Sequence, residues 1–222
     1  VADFLAGVWY LLADEGIAII EVQYVADLLL NNAFDLVYHE HRNFFSVDSL
    51  GAAAARQGLM VTDYMTTDRQ GGSIRVWLRP ARLGEAPRPT LSEAWLRDVS
   101  TYTSMQGRAE RVRDRLQDLL SDFSDVVVAG YGAPAKLTTL AAFCDLDIGD
   151  ISWIQDTTVA KQGRYLPGTS IPIVAPKTDD DLRPDVYLCS AWTYAGPILR
   201  REARFTAGGG RWILPFPAPV IL

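Results

Sequence analysis

Val126-Val127-Val128-Ala129-Gly130-Tyr131-Gly132-Ala133-Pro134-Ala135-Lys136 is the stretch from which the fold is read. A β-branched run leads into Gly-x-Gly-x-x-Ala, which predicts a strand over 125–130, a tight turn, and a helix over 134–143. Pro134 suits the first turn of that helix, because the N–H it lacks is one the helix leaves unpaired anyway. The glycines permit close backbone approach, and free amides at a helix start can hold a phosphate. Downstream, 151–155, 186–189 and 211–214 read as strands, with a helix over 194–205 before the last of them. Strand–helix alternation at this spacing predicts an α/β domain with a parallel, Rossmann-like sheet. Asp156 ends the second strand, about where a ribose-binding acid falls in such folds. Read alone, the motif says dinucleotide binding; another phosphate-bearing ligand and a purely structural turn both stay open.

Upstream of this domain, an apolar stripe at steps of three and four runs from Leu91 through Trp95, Val99, Tyr102, Met105, Ala109, Val112, Leu116 and Leu119 to Phe123. It predicts one long, core-packed helix, bent near Gly107. Residues 80–89 carry Pro80, Pro87 and Pro89 among charges, a linker composition that sets a domain boundary there. Before it, Phe4, Val8, Leu11 and Leu12 recur at helical spacing up to Gly16, and 16–22 reads as a strand of the kind buried in a parallel sheet. A helix over 25–31 follows, then one over 48–57 with Ser46 as its cap, then strands 59–64 and 73–78 joined by a turn at Gly71-Gly72.

Composition excludes several classes. The formal net charge of −6 supplies no basic field for a nucleic-acid partner. Apolar runs are broken by charge before bilayer-spanning length, so no membrane partner is expected, and the chain reads as cytoplasmic. Cys144 and Cys189 stand far apart within apolar stretches and read as buried free thiols of a reducing compartment.

Two segments could carry chemistry. Tyr38-His39-Glu40-His41 holds both histidines of the chain beside a phenol and a carboxylate. An imidazole titrates near neutrality, so this is a candidate general-base cluster. In an extended segment His39 and His41 would share one face; a turn would break that rule. A metal site through the two histidines lacks evident further ligands, and none is expected. The second segment is the 156–173 loop, where Lys161, Arg164 and Tyr165 sit among glycines and prolines. It could clamp phosphate and ribose, or be a solvated connector.

Together these residues resemble the SAM-dependent nucleotide-ketosugar C-methyltransferases of branched deoxysugar biosynthesis. The resemblance covers nearly the whole chain: the 16–22 run with Tyr24, Phe34-Asp35, Tyr38-His39-Glu40-His41, Phe44-Phe45-Ser46, Gly71-Gly72-Ser73-Ile74-Arg75-Val76, Gly130 to Lys136, Lys161-Gln162-Gly163, Tyr165-Leu166-Pro167-Gly168-Thr169 and Ile171-Pro172-Ile173. It implies that 1–79 is the C-terminal part of a class I methyltransferase domain and 90–222 a Rossmann-like nucleotide-sugar-binding domain. It implies base-assisted enolate formation and methyl transfer from S-adenosyl-L-methionine to the carbon next to a sugar ketone. His41 would be the base, Glu40 would tune it, Tyr38 would hold the oxyanion, and His39 would stand second in rank. Gly130, Tyr131, Gly132, Ala133, Lys136, Asp156, Lys161 and Tyr165 would bind the nucleotide-linked keto-deoxysugar.

The family's N-terminal zinc segment, its glycine-rich SAM loop and an upstream active-site histidine have no counterpart here, so zinc is not expected in this chain. The chain accordingly reads as a fragment, a split subunit with a separate N-terminal half, or a degenerate copy, starting near the fourth or fifth strand of the methyltransferase domain. It departs from the family at Gln23, at Gln70, at Leu137-Thr138 where the family has Gly-Asn, and at Thr193 where it has asparagine. The competing reading is an NAD(P)-dependent oxidoreductase or a nucleotide-binding regulatory domain built on Gly-x-Gly-x-x-Ala.

Overall fold

The structure is a computed structural model that describes residues 1–82, 84–85, 93–176 and 183–222. Two compact units emerge: Val1–Leu30 with His41–Thr103, and Asn31–Glu40 with Ser104–Leu222. The expected linker at 80–89 has residues 83 and 86–89 outside the described residues, as has Leu91 of the apolar stripe.

In the first unit, α1 (Ala2–Leu11) buries Leu5, β1 (Ala18–Gln23) follows, and α2 (Val25–Leu30) turns Ala26, Leu28 and Leu29 inward. Helix α3 (Val47–Ala55) starts at Ser46, whose hydroxyl accepts from the Ser49 amide while Ser49 reciprocates, a capping box. Glu93, almost fully buried, reinforces that start by accepting from the amides of Val47 (3.0 Å) and Asp48 (2.9 Å) and from the Tyr24 hydroxyl (2.8 Å). Strands β2 (Leu59–Thr67) and β3 (Ser73–Pro80) form the expected hairpin, and Gly72 is needed in its turn: its φ is +119°, and a Cβ there would meet Asp27 at 2.2 Å.

One expectation is corrected. β1 is not a strand of a parallel sheet but pairs antiparallel with β3, in the order β1-β3-β2. A short apolar run does not declare its partner's direction. Here the hairpin folds back so that its second strand lies along β1, and Ile19 is left 59% exposed.

The second unit is entered through α4 (Val99–Ser121), which starts later than the apolar stripe suggests. Residues 94–97 form a separate 3₁₀ turn, and Asp98 accepts the Ser100 amide at 2.9 Å. Val99 and Tyr102 are exposed, whereas Ala109, Val112, Leu116, Leu119 and Leu120 are buried. Then come β4 (Val128–Tyr131), α5 (Ala135–Phe143), β5 (Ile154–Gln155), β6 (Ile173–Val174), β7 (Val186–Leu188), α6 (Ala195–Arg201), α7 (Ala203–Ala207), β8 (Arg211–Leu214) and β9 (Val220–Ile221). The helix expected over 194–205 is divided into α6 and α7.

The sheet order is β6-β5-β4-β7-β8-β9, parallel except for the last pair. Counted within the sheet this is 3-2-1-4-5-6, the order of doubly wound dinucleotide-binding folds. Alternate residues bury into two clusters. Val128, Val186, Leu188 and Ile213 face Leu116, Leu137 and Leu140, while Ala129, Tyr187 and Trp212 face Phe205 and Ile198. Both faces of the sheet are therefore covered, which is why these strands read as continuous apolar runs. Cys144 and Cys189 are free and buried in these clusters, and burial pushes both thiols up to about 12.

Candidate functional site

In such a sheet ligands bind outside the carboxyl ends of the strands, where the order reverses. A cavity of about 500 Å³ opens in the second unit beside the carboxyl end of β4 and toward β6, not in the β4–β7 crevice where the order reverses. Ala133, Pro134 and Ala135 line it after β4; Thr138 and Thr139 continue along α5. Lys161, Arg164, Tyr165, Leu166 and Pro167 come from the loop before β6, and Tyr38 and His39 complete the wall. A mostly apolar wall with a few convergent polar groups is the usual make-up of a small-molecule site.

Tyr38 and His39 reach the cavity because Asn31–Glu40 belongs to this unit. The segment folds as a 3₁₀ turn, Phe34–Leu36, followed by a bend at Tyr38 and a turn at His39-Glu40, so the extended-strand rule for the two histidines does not apply. The Tyr38 and His39 rings meet edge to face, 5.9 Å apart. Burial, then the charge of Glu40 and a hydrogen bond to it, then the charge of Asp35, raise the Tyr38 phenol above its usual value. It stays a neutral O–H donor at physiological pH. His41 is counted with the first unit, where its ring stands edge-on to Phe44 at 6.4 Å.

The loop cations are arranged about the end of β4. Lys161 Nζ donates to the Ala133 carbonyl at 2.8 Å and lies 3.4 Å from Asp156 Oδ2. Arg164 and Tyr165 are exposed at the cavity wall. The glycine turn has its groups engaged within the fold. Asp156 accepts from the amides of Ala133 (2.7 Å) and Thr158 (2.8 Å); burial pushes its carboxyl up, but these amides and Lys161 more than offset that and hold it below the usual range. A Cβ on Gly130 would meet Ile154 at 2.7 Å, and one on Gly132, whose φ is +89°, would meet Ala191 at 2.8 Å. Tyr131 points to the opposite face, where its hydroxyl donates to Glu202 at 2.7 Å and accepts from Arg201. Lys136 is buried, donates to Thr193 Oγ1 at 3.2 Å, and lies 4.1 Å from the centroid of the Trp192 ring.

Of the residues singled out from the sequence, Tyr38, His39, Ala133, Lys161 and Tyr165 thus meet at one cavity, while Gly130, Tyr131, Gly132, Lys136 and Asp156 have structural partners. Thr138, Thr139, Leu166 and Pro167 line the cavity without having been named as ligands. Their signal was their position beside the glycine turn and within the 156–173 loop. Among the described residues no group of three or more His, Cys, Asp or Glu could hold a metal, and no helix is long and apolar enough to cross a membrane.

Sheet order and direction define the second unit as a Rossmann-like α/β domain. The chain belongs to the C-methyltransferase C-terminal domain family, which matches residues 68–217. It is also 40% identical over 229 aligned positions to C-methyltransferase NovU of Streptomyces niveus, an alignment covering 99% of this chain and 54% of the relative. The chain spans about half the length of that protein.

Proposed function

We propose that this chain is part of a SAM-dependent C-methyltransferase that methylates a nucleotide-linked keto-deoxysugar at the carbon next to its ketone. One observation carries the reading: Tyr38 and His39 line the same cavity as Lys161, Arg164 and Tyr165. Acid–base groups and cations suited to a diphosphate thus share one wall.

A carbon next to a ketone is a weak acid, so deprotonation needs a base and a donor for the developing oxyanion. Tyr38, held as a neutral phenol, is the donor: its single O–H, which Glu40 accepts in the free chain, turns to the oxyanion when substrate binds. His41 remains the base implied by the family resemblance, with His39 in the cavity wall as the second candidate. Arg164 and Lys161 neutralise the diphosphate, and the exposed Tyr165 ring offers a stacking face.

The family implies S-adenosylmethionine, which supplies the methyl group when bound. The glycine turn of the second unit does not fit it: the Ala133 amide is occupied by Asp156, and the space beside Gly132 is filled by Ala191. The same two contacts weaken the oxidoreductase reading, since a dinucleotide's pyrophosphate needs that amide and that space.

Calorimetric titration of the chain with dTDP and with NAD tests the proposal. Saturable dTDP binding, weakened at least about tenfold by Lys161→Ala and absent for NAD, is expected. Equal binding of both, or of neither, would refute it. Deuterium loss from the carbon next to the ketone of a dTDP-linked ketosugar reports proton removal without any methyl donor, and it should fall in Tyr38→Phe.

A further inference from the structure

Residues 31–40 lie in the chain between two stretches of the first unit, yet they belong with the second. Ordering ten residues away from their sequence neighbours costs conformational entropy at each, so specific contacts must hold them. Several are packing contacts. The Asn32 side chain donates to the Arg108 carbonyl at 3.1 Å, and Phe34 meets Phe143 at 4.7 Å and Phe216 at 5.3 Å between centroids.

Asp35 is of a different kind. Its side chain is buried, only 1% of the residue being exposed, and Oδ2 accepts from Trp192 Nε1 at 2.7 Å. The indole that binds this acid also offers its ring face to Lys136, itself 6% exposed. Trp192 therefore joins an anion from the 31–40 segment to a cation of α5. An apolar residue would fill the position at lower desolvation cost. What the charge adds is direction, because an indole N–H bond fixes one orientation of the turn that packing alone would not select.

We infer that Asp35 is a positioning residue, holding the Phe34–Leu36 turn on Trp192 and Lys136 so that Tyr38 and His39 stand at the cavity wall. This rests on the proposed role of those two side chains. The link is short: Leu36 and Val37 amides bond back to Ala33 (3.1 Å) and Phe34 (2.9 Å), and Tyr38 is the next residue.

Hydrogen exchange at the Leu36 and Val37 amides of the whole chain, measured beside dTDP affinity, tests it. Asp35→Ala and Trp192→Phe should each speed exchange at both amides at least about tenfold, leave β4 and α5 protected, and weaken dTDP binding. Asp35→Asn still accepts from the indole and should restore most of both, whereas Asp35→Leu, which keeps the bulk but has no acceptor, should not, although a purely space-filling role would have it do so. If Asp35→Ala fails to fold, Trp192→Phe carries the test, since its ring keeps most of the bulk. Unchanged exchange in a folded Trp192→Phe chain would overturn the inference, as would faster exchange with undiminished dTDP binding. Faster exchange in a chain that never binds dTDP, native form included, would uphold the anchor and refute the proposed function instead.

Discussion

The 130–135 turn and the 31–40 segment are built in opposite ways. In the turn, the groups that a ligand would use are satisfied from within: Asp156 takes the Ala133 amide, Gln155 takes the Gly132 amide at 2.8 Å, and the Cβ space of both glycines is filled. The segment is buried at its start, from Asn32 to Leu36, and turns its later residues outward, with Val37, His39 and Glu40 exposed. One has the sequence of a phosphate-binding turn but is closed from within; the other has the sequence of a connection but lines a cavity. Glycine-turn chemistry is compatible with either, because an amide bonded to an internal carboxylate is no longer offered to a phosphate.

The largest expected effect tests the buried start of the segment. Phe34→Ala removes a ring packed between Phe143 and Phe216, and should destabilise the chain by about 4 kcal/mol in urea unfolding. A loss below about 1 kcal/mol would mean that the segment merely rests on the second unit, and the contrast with the turn would collapse.

Next comes Asp35. Burial, partly countered by Lys136 and Trp192, pushes its carboxyl up to about 6. A folded-state value raised above the unfolded one gives stability that is present below about pH 4 and lost as pH rises through about 6. Asp35→Asn removes that dependence. The native chain should therefore lose about 2–3 kcal/mol relative to Asp35→Asn between pH 4 and pH 7, read from urea midpoints. Lys136, lowered to about 8 by burial despite Asp35, loses that support in Asp35→Asn and moves toward this window, so the comparison is repeated with Lys136→Met in both chains. A pH-independent difference would mean that the carboxylate is solvated and does not serve as a buried anchor.

Much of this is legible in the sequence. The strands β4, β7 and β8 announce themselves because both of their faces are covered, leaving β-branched and apolar residues in unbroken runs. The two-residue strands β6 and β9 carry no periodicity and were not foreseen. The direction of β1 depends on how the hairpin folds back, which is a tertiary choice. Lys161 and Tyr165 could be found as polar residues in a Gly/Pro loop at the expected sheet edge. Phe34-Asp35 stands among the residues that carry the resemblance, but the pairing of Asp35 with Trp192 is not legible, since 157 positions separate them and neither lies in a pattern that names its partner. Two of the departures from the family have local explanations: Leu137, where the family has glycine, is 1% exposed in the main core, and Thr193, where it has asparagine, accepts from Lys136. Nothing in the structure explains the departure at Gln70.

A smaller effect is expected in the turn itself. Gly132→Ala forces a side chain into left-handed backbone and against Ala191, and should cost about 2–3 kcal/mol. A neutral outcome would mean that the turn relaxes easily and has room for a ligand, weakening the contrast from its other side.

The smallest effect is the most discriminating. Asp156→Asn keeps size and shape but leaves one oxygen for the two amides of Ala133 and Thr158, with an N–H₂ group facing whichever is lost. The cost should be about 1–2 kcal/mol at neutral pH, the range for hydrogen bonds to a charged acceptor. The native carboxyl is held below its usual value, so its advantage is present above about pH 4 and disappears as pH falls through the folded value. Native and Asp156→Asn chains should therefore converge in stability below that pH. Ligand affinity then separates the two roles of the acid. If Asp156 only closes the turn, dTDP binding should change by less than about twofold, or tighten because a negative charge near the phosphates has gone. If Asp156 holds a ribose hydroxyl, as its place at the end of β5 first suggested, affinity should fall about tenfold, the worth of one charged hydrogen bond to a ligand. That outcome would return the glycine turn to the binding site and make the two regions alike.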